Sequence, residues 1–247
     1  MTDAPARTPW RVATVASVRA ETARVRTLAL EVPGWPGHLA GQHVVVRLTS
    51  EDGYEAQRSY SIASAPDAPL LELTVERIDG GEVSPYLVDE VRPGDRFELR
   101  GPIGGYFVWR PADGGPLFLV AGGSGVVPLM AMLRHRAAAG VAAPAHLLLS
   151  SRTLADVIYR DELAHLESRG DGLSVAHTLT RAAPAGWNGA TGRVDRALLA
   201  AGPSPDARPH VFVCGPSGLV ESAARTLVAL GHEPARVKTE RFGPSGG

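Results

Sequence analysis

Four consecutive residues, Arg58-Ser59-Tyr60-Ser61, combine a fixed cation, an aromatic ring and two small hydroxyls. On an extended stretch side chains alternate in direction, so Arg58 and Tyr60 point one way and Ser59 and Ser61 the other. A guanidinium and a phenol on one side suit a ligand that carries both phosphate and a flat ring. Alone, the tetrapeptide reads equally well as a strand with a surface arginine and a half-buried tyrosine. Three later segments change that balance.

Gly80-Gly81-Glu82-Val83-Ser84 precedes Pro85 to Val91, and the order predicts a glycine turn opening a short helix. Free N–H groups at such a start suit a phosphate, and the Ser84 hydroxyl adds a donor. Gly101-Pro102-Ile103-Gly104-Gly105-Tyr106-Phe107 is a turn whose glycines let backbone approach a bulky ligand. Leu117 to Pro128 reads as a buried strand, a turn with Gly123, Ser124 and Gly125, and a helix start. It has the G-x-G of a dinucleotide loop, with Pro128 in place of the last glycine. The Gly-Lys-Ser/Thr of a P-loop is missing, which argues against kinase or ATPase chemistry.

In this order and spacing the segments resemble the ferredoxin–NADP reductase superfamily, specifically flavin reductases that feed oxygenases, ferredoxins or cytochromes. The resemblance covers nearly the whole chain. It extends to Ser151-Arg152, Cys214-Gly215-Pro216 and Glu240-Arg241-Phe242-Gly243.

The elements that must position these residues fall into two rhythms. Up to about Arg110 there are short strands and turns, at 11–18, 25–31, 42–48, 59–63, 71–77 and 96–100. Leu71, Leu73 and Val75 alternate with Glu72, Thr74 and Glu76, as in an antiparallel strand with one wet face. A small barrel closes such a set economically. Pro111 to Pro116 is a linker, and beyond it apolar runs alternate with helices: strands 117–121, 146–150, 173–179, 210–214 and 235–239, helices 127–139, 154–167, 193–200 and 217–230. This is the rhythm of a parallel α/β sheet, whose ligands lie beyond the carboxyl ends of the strands. The expected organisation is an FAD-binding antiparallel β-barrel domain over 1–110 and an NAD(P)-binding α/β domain over 111–247.

Composition sets limits. The 247 residues, 44% apolar, suffice for real cores, and a formal charge of −1 gives none of the basic bias typical of nucleic-acid binding. A single cysteine excludes an internal disulfide and cannot supply the thiolates of an iron–sulfur cluster. The eight histidines show no ligand spacing, so no metal site is expected. Nothing resembles a signal peptide or membrane span, the expected compartment is cytoplasmic, and residues 243–247 are expected to fray.

The resemblance implies a flavin between barrel and sheet and a pyridine nucleotide arriving from the sheet. Arg58 then pairs with the flavin pyrophosphate, Tyr60 stacks on the isoalloxazine, and Ser61 hydrogen-bonds near its N5, with Ser59 in the same stretch. Gly81, Val83 and Ser84 match the phosphate turn. Thr74, Val75 and Glu76 match a flavin-contacting strand, although many relatives carry a basic residue where Glu76 stands. The 101–107 turn looks like that of FAD-binding rather than FMN-binding relatives.

On the other side, Gly123, Ser124 and Gly125 pass the dinucleotide phosphates, and Thr180 and Arg181 touch the nucleotide. Ser151 and Arg152 match the site for the 2′-phosphate of NADPH, with Arg160 as a second clamp and NADH as the alternative cofactor. Cys214, with Gly215 and Pro216, lies beside the nicotinamide, together with Ser61 and Glu240. Phe242 matches an aromatic laid against the flavin. The implied enzyme is an FAD-dependent NAD(P)H oxidoreductase passing electrons to a separate oxygenase, ferredoxin or cytochrome. A noncatalytic flavin-binding electron-transfer subunit is the alternative, and an α/β module without redox ligands a third.

Overall fold

The computed structural model describes residues 8–242. The expectation for 243–247 and the outer ends of both proposed domains therefore lie outside the described residues.

Six antiparallel strands build the N-terminal half: β1 (Trp10–Thr22), β2 (Val25–Glu31), β3 (His43–Thr49), β4 (Glu55–Ser61), β5 (Leu71–Glu76) and β6 (Arg96–Ile103). Their order is β4-β3-β6-β1-β2-β5. The two end strands meet through an Ile62–Leu73 bridge and a hydrogen bond from Ala63 N to Glu72 O at 2.8 Å, which closes the barrel. Leu28, Leu30, Val44, Val46, Leu73, Val75 and Leu99 fill it, supplied by alternate positions of their strands.

A parallel sheet forms the C-terminal half: β7 (Leu117–Gly122), β8 (Ala145–Thr153), β9 (Leu173–Ala182), β10 (Ala190–Thr191), β11 (His210–Gly215) and β12 (Val237–Arg241), in the order β10-β9-β8-β7-β11-β12. Helices α1 (Val126–Ala138), α2 (Arg160–Ser168), α3 (Arg196–Ala200) and α4 (Ser217–Ala229) cover it. Leu119, Ala121, Leu147, Leu149, Phe212 and Cys214 share one core with α1 and with Ala63, Phe107 and Trp109 of the barrel side. Phe118, Val120, Val211 and Val213 face α3 and α4 instead. Thus one face of the sheet carries the barrel, and the two halves share a core.

Several boundaries moved for local reasons. The strand expected at 59–63 runs from Glu55, because a Ser50–Tyr54 turn sets Glu55 opposite Thr49. The helix expected over 154–167 is broken. Asp156 accepts hydrogen bonds from the Thr153 N–H and hydroxyl to close one turn, Val157 to Tyr159 are buried, and Tyr159 takes a left-handed φ of 60° before α2 begins. The helix expected over 193–200 begins at Arg196, capped by the Asp195 carboxylate on Leu198 N. Pro234–Arg236 form a 3-10 turn, which shifts the last strand to 237–241. Among the described residues no helix is long and apolar enough to cross a membrane, and no group of three or more His, Cys, Asp or Glu is placed to hold a metal ion.

Candidate flavin and nucleotide site

The switch of chain order in the parallel sheet occurs between β7 and β11. From β7 the chain passes through α1 to β8 on one side, and it later returns to β11 on the other. The loops leaving their carboxyl ends diverge there and leave a crevice, the general place for a ligand in such sheets. Gly123 to Gly125 form the turn after β7, and Gly123 has φ 54°. A Cβ on Gly125 would sit 2.2 Å from the Cys214 carbonyl oxygen and 2.7 Å from Gly215 Cα, so this close crossing of loop and strand admits no side chain. A Cβ on Gly215, with φ 147°, would sit 3.0 Å from the Gly122 backbone, a looser crossing.

Cys214 pairs in register with Ala121 on one side and Glu240 on the other, so the three project from one face of the sheet. Cys214 is fully buried, and burial, followed by the nearby Glu240 carboxylate, pushes its thiol pKa well up; it is a neutral thiol. Burial raises the Glu240 carboxyl to about 7, and its Oε2 has no hydrogen-bond partner among the described residues. Phe242 donates its N–H to the Gly215 carbonyl at 2.9 Å and packs on the core that contains Cys214 and Ala63.

On the barrel, β4 presents Arg58 and Tyr60 on the face opposite Ser59 and Ser61. Tyr60 packs on the barrel core, and burial raises its phenol pKa. The Ser61 Oγ is buried with no partner among the described residues, two residues before the Ala63 of the shared core. Arg58 does not stand free: its Nη2 meets Glu82 Oε2 at 2.7 Å, and Tyr54 Oη donates to the other carboxylate oxygen at 2.6 Å.

The segment after Gly80 is the short helix expected there, without a side-chain cap. One α turn, closed by the Leu87 N–H on the Val83 carbonyl at 3.1 Å, runs into a π turn over Tyr86–Glu90; the stretch is too short for a helix dipole, and Ser84 Oγ accepts the Ile78 N–H at 3.0 Å to close the turn before it. What remains for an anion is backbone: the N–H groups of Glu82, Val83 and Ser84 donate to no acceptor among the described residues. The turn follows β5 directly, and the Glu76 carboxylate at the end of β5 lies 3.9 Å from where a Gly123 Cβ would stand. The end of β5 therefore brings the barrel's turn and the sheet's glycine loop together. Thr74 and Val75 are buried, so the side chains expected to contact a ligand there are committed to packing. Thr74 Oγ1 shares a hydrogen bond with Thr27 at 2.8 Å and accepts another from Tyr159 Oη.

The outer nucleotide residues are a mixed set. Ser151 Oγ is buried with no partner among the described residues, while its carbonyl accepts from Thr180 Oγ1 at 3.2 Å, tying the ends of β8 and β9 together. Arg152 and Arg181 are exposed, and among the described residues no ion pair engages either. Arg160 sits 3.4 Å from the carboxylate of its neighbour Asp161. Sequence reasoning missed Tyr54, Glu82 as the partner of Arg58, and the junction residues Arg134 and Tyr159. For Arg134 the sequence offers only its place directly after the apolar run 126–133, at the head of Arg134-His135-Arg136.

Residues 11–108 match the oxidoreductase FAD-binding domain family, and residues 119–225 match the oxidoreductase NAD-binding domain family. Over 240 residues the chain is 39% identical to ferredoxin–NADP reductase B of Sorangium cellulosum, covering 93% of this chain and 96% of that protein. The chain belongs to the ferredoxin–NADP reductase superfamily. It is 31% identical to the glycine betaine monooxygenase reductase subunit of Pseudomonas aeruginosa, of whose length the match spans 56%. In structure it resembles the FAD/NAD-binding domain of nitric oxide dioxygenase from Vibrio cholerae, with a TM-score of 0.83 at 26% identity, covering 95% of this chain and 99% of that one. As a member of the superfamily it is an FAD-dependent NAD(P)H oxidoreductase. The orphaned donors at 82–84, the buried unpartnered Ser61 hydroxyl and the glycine crossing at 122–125 are features that fit FAD and a pyridine dinucleotide.

Proposed function

We propose that this reductase takes electrons from NADPH at the crevice between β7 and β11 and delivers them through FAD to a separate protein, an oxygenase, ferredoxin or cytochrome. When bound, FAD accepts hydride from the nicotinamide and gives up electrons singly; the protein supplies orientation and electrostatics. The observation that carries this reading is the end of β5, where Glu76 lies against the glycine loop and leads directly into the turn with free N–H groups. Two anion-binding backbones, one from each half, open beside each other there.

Arg58 exchanges Glu82 for the flavin pyrophosphate, which the N–H groups of Glu82, Val83 and Ser84 also receive, across the turn that Gly81 allows. Tyr60 lies under the ring, Ser59 stays at the solvent side, and Ser61 offers its hydroxyl to the ring edge. From β5, Thr74 and Val75 contribute main chain only. A cleft of about 550 Å³ lined by Tyr54, Glu82, Tyr86 and Phe97 gives room for an adenosine end, which supports FAD over FMN. Gly123, Ser124 and Gly125 carry the nucleotide phosphates, while Cys214, Gly215 and Pro216 shape the nicotinamide pocket. Glu240, neutral below about pH 7, can donate a hydrogen bond there. Phe242 covers the flavin until nicotinamide replaces it. Ser151, Arg152, Thr180 and Arg181 receive the 2′-phosphate end, with Arg160 at the margin. We place the division between the two domains at Arg110–Pro111 and the protein in the cytoplasm, a placement that its single cysteine suits.

Chromatography of the cofactor released on denaturation, followed by stopped-flow reduction with NADPH and NADH, tests this. FAD and fast reduction by NADPH are expected; FMN alone, or no flavin after reconstitution, overturns it.

A further inference from the structure

Arg134 sits eight residues into α1, the helix that begins at the glycine loop, and its guanidinium reaches out of the nucleotide half. Its Nη1 donates to the Ala63 carbonyl at 2.8 Å and to Glu72 Oε2 at 2.7 Å. These two residues flank the seam where β4 and β5 close the barrel, for Ala63 N also donates to Glu72 O. On its own side Arg134 holds Glu162 of α2 through Nε and Nη2, both at 2.7 Å, and lies 5.0 Å over the Tyr159 ring. Tyr159, left-handed and buried, adds its hydroxyl to Thr74 on β5. The seam thus carries the Ser61 end of β4 and the whole of β5. The helix spans about 12 Å from the loop to the clamp at 1.5 Å per residue.

We infer that Arg134 is a positioning residue for hydride transfer: by joining α1 to the barrel seam it fixes the distance between the nucleotide loop and the flavin-bearing strands. Alone, an ion pair of this kind proves only a well-made junction. The directional point is that one guanidinium contacts both edges of the strand closure that carries the flavin site, while its helix starts at the nucleotide site. A planar fork makes these contacts together, and a lysine ammonium on a flexible stem cannot. Displacement of reacting atoms by about 1 Å is enough to slow a reaction on the order of a hundredfold.

The inference rests on the placement of flavin and nucleotide proposed above, and its test separates the two. If the wild-type protein binds no flavin or is not reduced by NADPH, that placement fails before any variant is made. With a functional wild type, Arg134→Lys and Glu72→Gln are compared with Glu162→Gln, which loosens Arg134 only within its own half. Expected for the first two are unchanged FAD content and NADPH dissociation constant, a reduction rate constant at saturating NADPH lowered about tenfold or more, and a weakened nicotinamide–flavin charge-transfer absorbance. Glu162→Gln should give a smaller defect. In the flavin-free protein, Arg134→Lys should speed amide exchange over residues 61–74. Wild-type rates and charge-transfer absorbance in both cross-half variants overturn the inference, and so does a rate loss matched by equal loss of nucleotide affinity. If Arg134→Lys does not fold, Glu72→Gln alone decides by the same readouts.

Discussion

The two sides of the crevice prepare for their ligands differently. On the barrel, three of the side chains read from the sequence are already engaged, Arg58 with Glu82, Ser84 with the Ile78 N–H, and Thr74 with Thr27 and Tyr159, while Ser61 Oγ has no partner among the described residues. On the sheet, among the described residues, Ser151 Oγ and Glu240 Oε2 are buried without partners, and Arg152 and Arg181 are in no ion pair. A ligand that meets Arg58 must displace Glu82, whereas one that meets Ser151 or Glu240 gains contacts where, among the described residues, none exist. The exchange still favours phosphate. Arg58 and Glu82 are 38% and 45% exposed, and such surface pairs contribute about 0–1 kcal/mol. A charge-assisted contact to a pyrophosphate contributes about 1.5–3 kcal/mol.

The sharpest break in this comparison comes at the sheet's glycine crossing. Gly125→Ala places a Cβ against main chain that cannot rotate away, so overpacking should remove about 1–3 kcal/mol or more of stability. Thermal unfolding should show an early transition, and reduction by NADPH should be nearly abolished. A normal melting temperature with normal reduction would mean that the loop yields easily. On the barrel, Arg58→Ala should weaken FAD binding about ten- to a hundredfold, read by titration of the flavin-free protein. Glu82→Gln sharpens the point, because removing the competing carboxylate should tighten FAD. Weaker binding in that variant would show that Glu82 helps to hold the cofactor.

The contrast also explains what could be read in the sequence. Strand alternation at Leu71, Leu73 and Val75 and the strand–glycine–helix run at 117–128 report local periodicity, and both halves of the fold followed from them. The partners of the site residues were not legible, because they come from distant segments: Glu82 lies 24 positions from Arg58, and Tyr159 lies 85 positions from Thr74. The broken helix at 154–159 was hidden for the same reason. Val157, Ile158 and Tyr159 suit a helix face locally, and only burial of Tyr159 against the barrel decides otherwise. Arg134 looks like a surface charge until β4 and β5 are brought together beneath it.

Glu240 gives a smaller and pH-dependent effect. Its carboxyl ionises near 7 in the folded protein against an ordinary 4.5, because burial penalises the charge. Between those values the folded state holds a proton that the unfolded chain has released, so stability falls as pH rises. The stabilisation is complete below about pH 4.5 and gone above about 7, with an upper bound of about 3 kcal/mol. Urea unfolding of the flavin-free protein from pH 5 to 8 should show this decline in the wild type and lose most of it in Glu240→Gln. Equal slopes in both would place the ionisation elsewhere.

The smallest expected effect concerns the choice of nucleotide. NADPH and NADH differ only by the 2′-phosphate, and Arg152 follows the buried, unpartnered Ser151 hydroxyl at the end of β8. Being exposed, Arg152 meets the phosphate under solvent screening, so the lower end of the charge-assisted range applies, about 1.5 kcal/mol or a little over tenfold. Arg152→Ala should raise the Michaelis constant for NADPH by about that factor and leave the constant for NADH nearly unchanged, with FAD content intact. Added salt should erode the wild-type preference, since exposed charges are screened over about 8–10 Å at 0.10–0.15 M ionic strength. A wild type that prefers NADH, or a variant that weakens both nucleotides equally, would remove the phosphate from Arg152. The cofactor assignment would then pass to NADH, with the Ser151 and Thr180 hydroxyls left to receive the ribose.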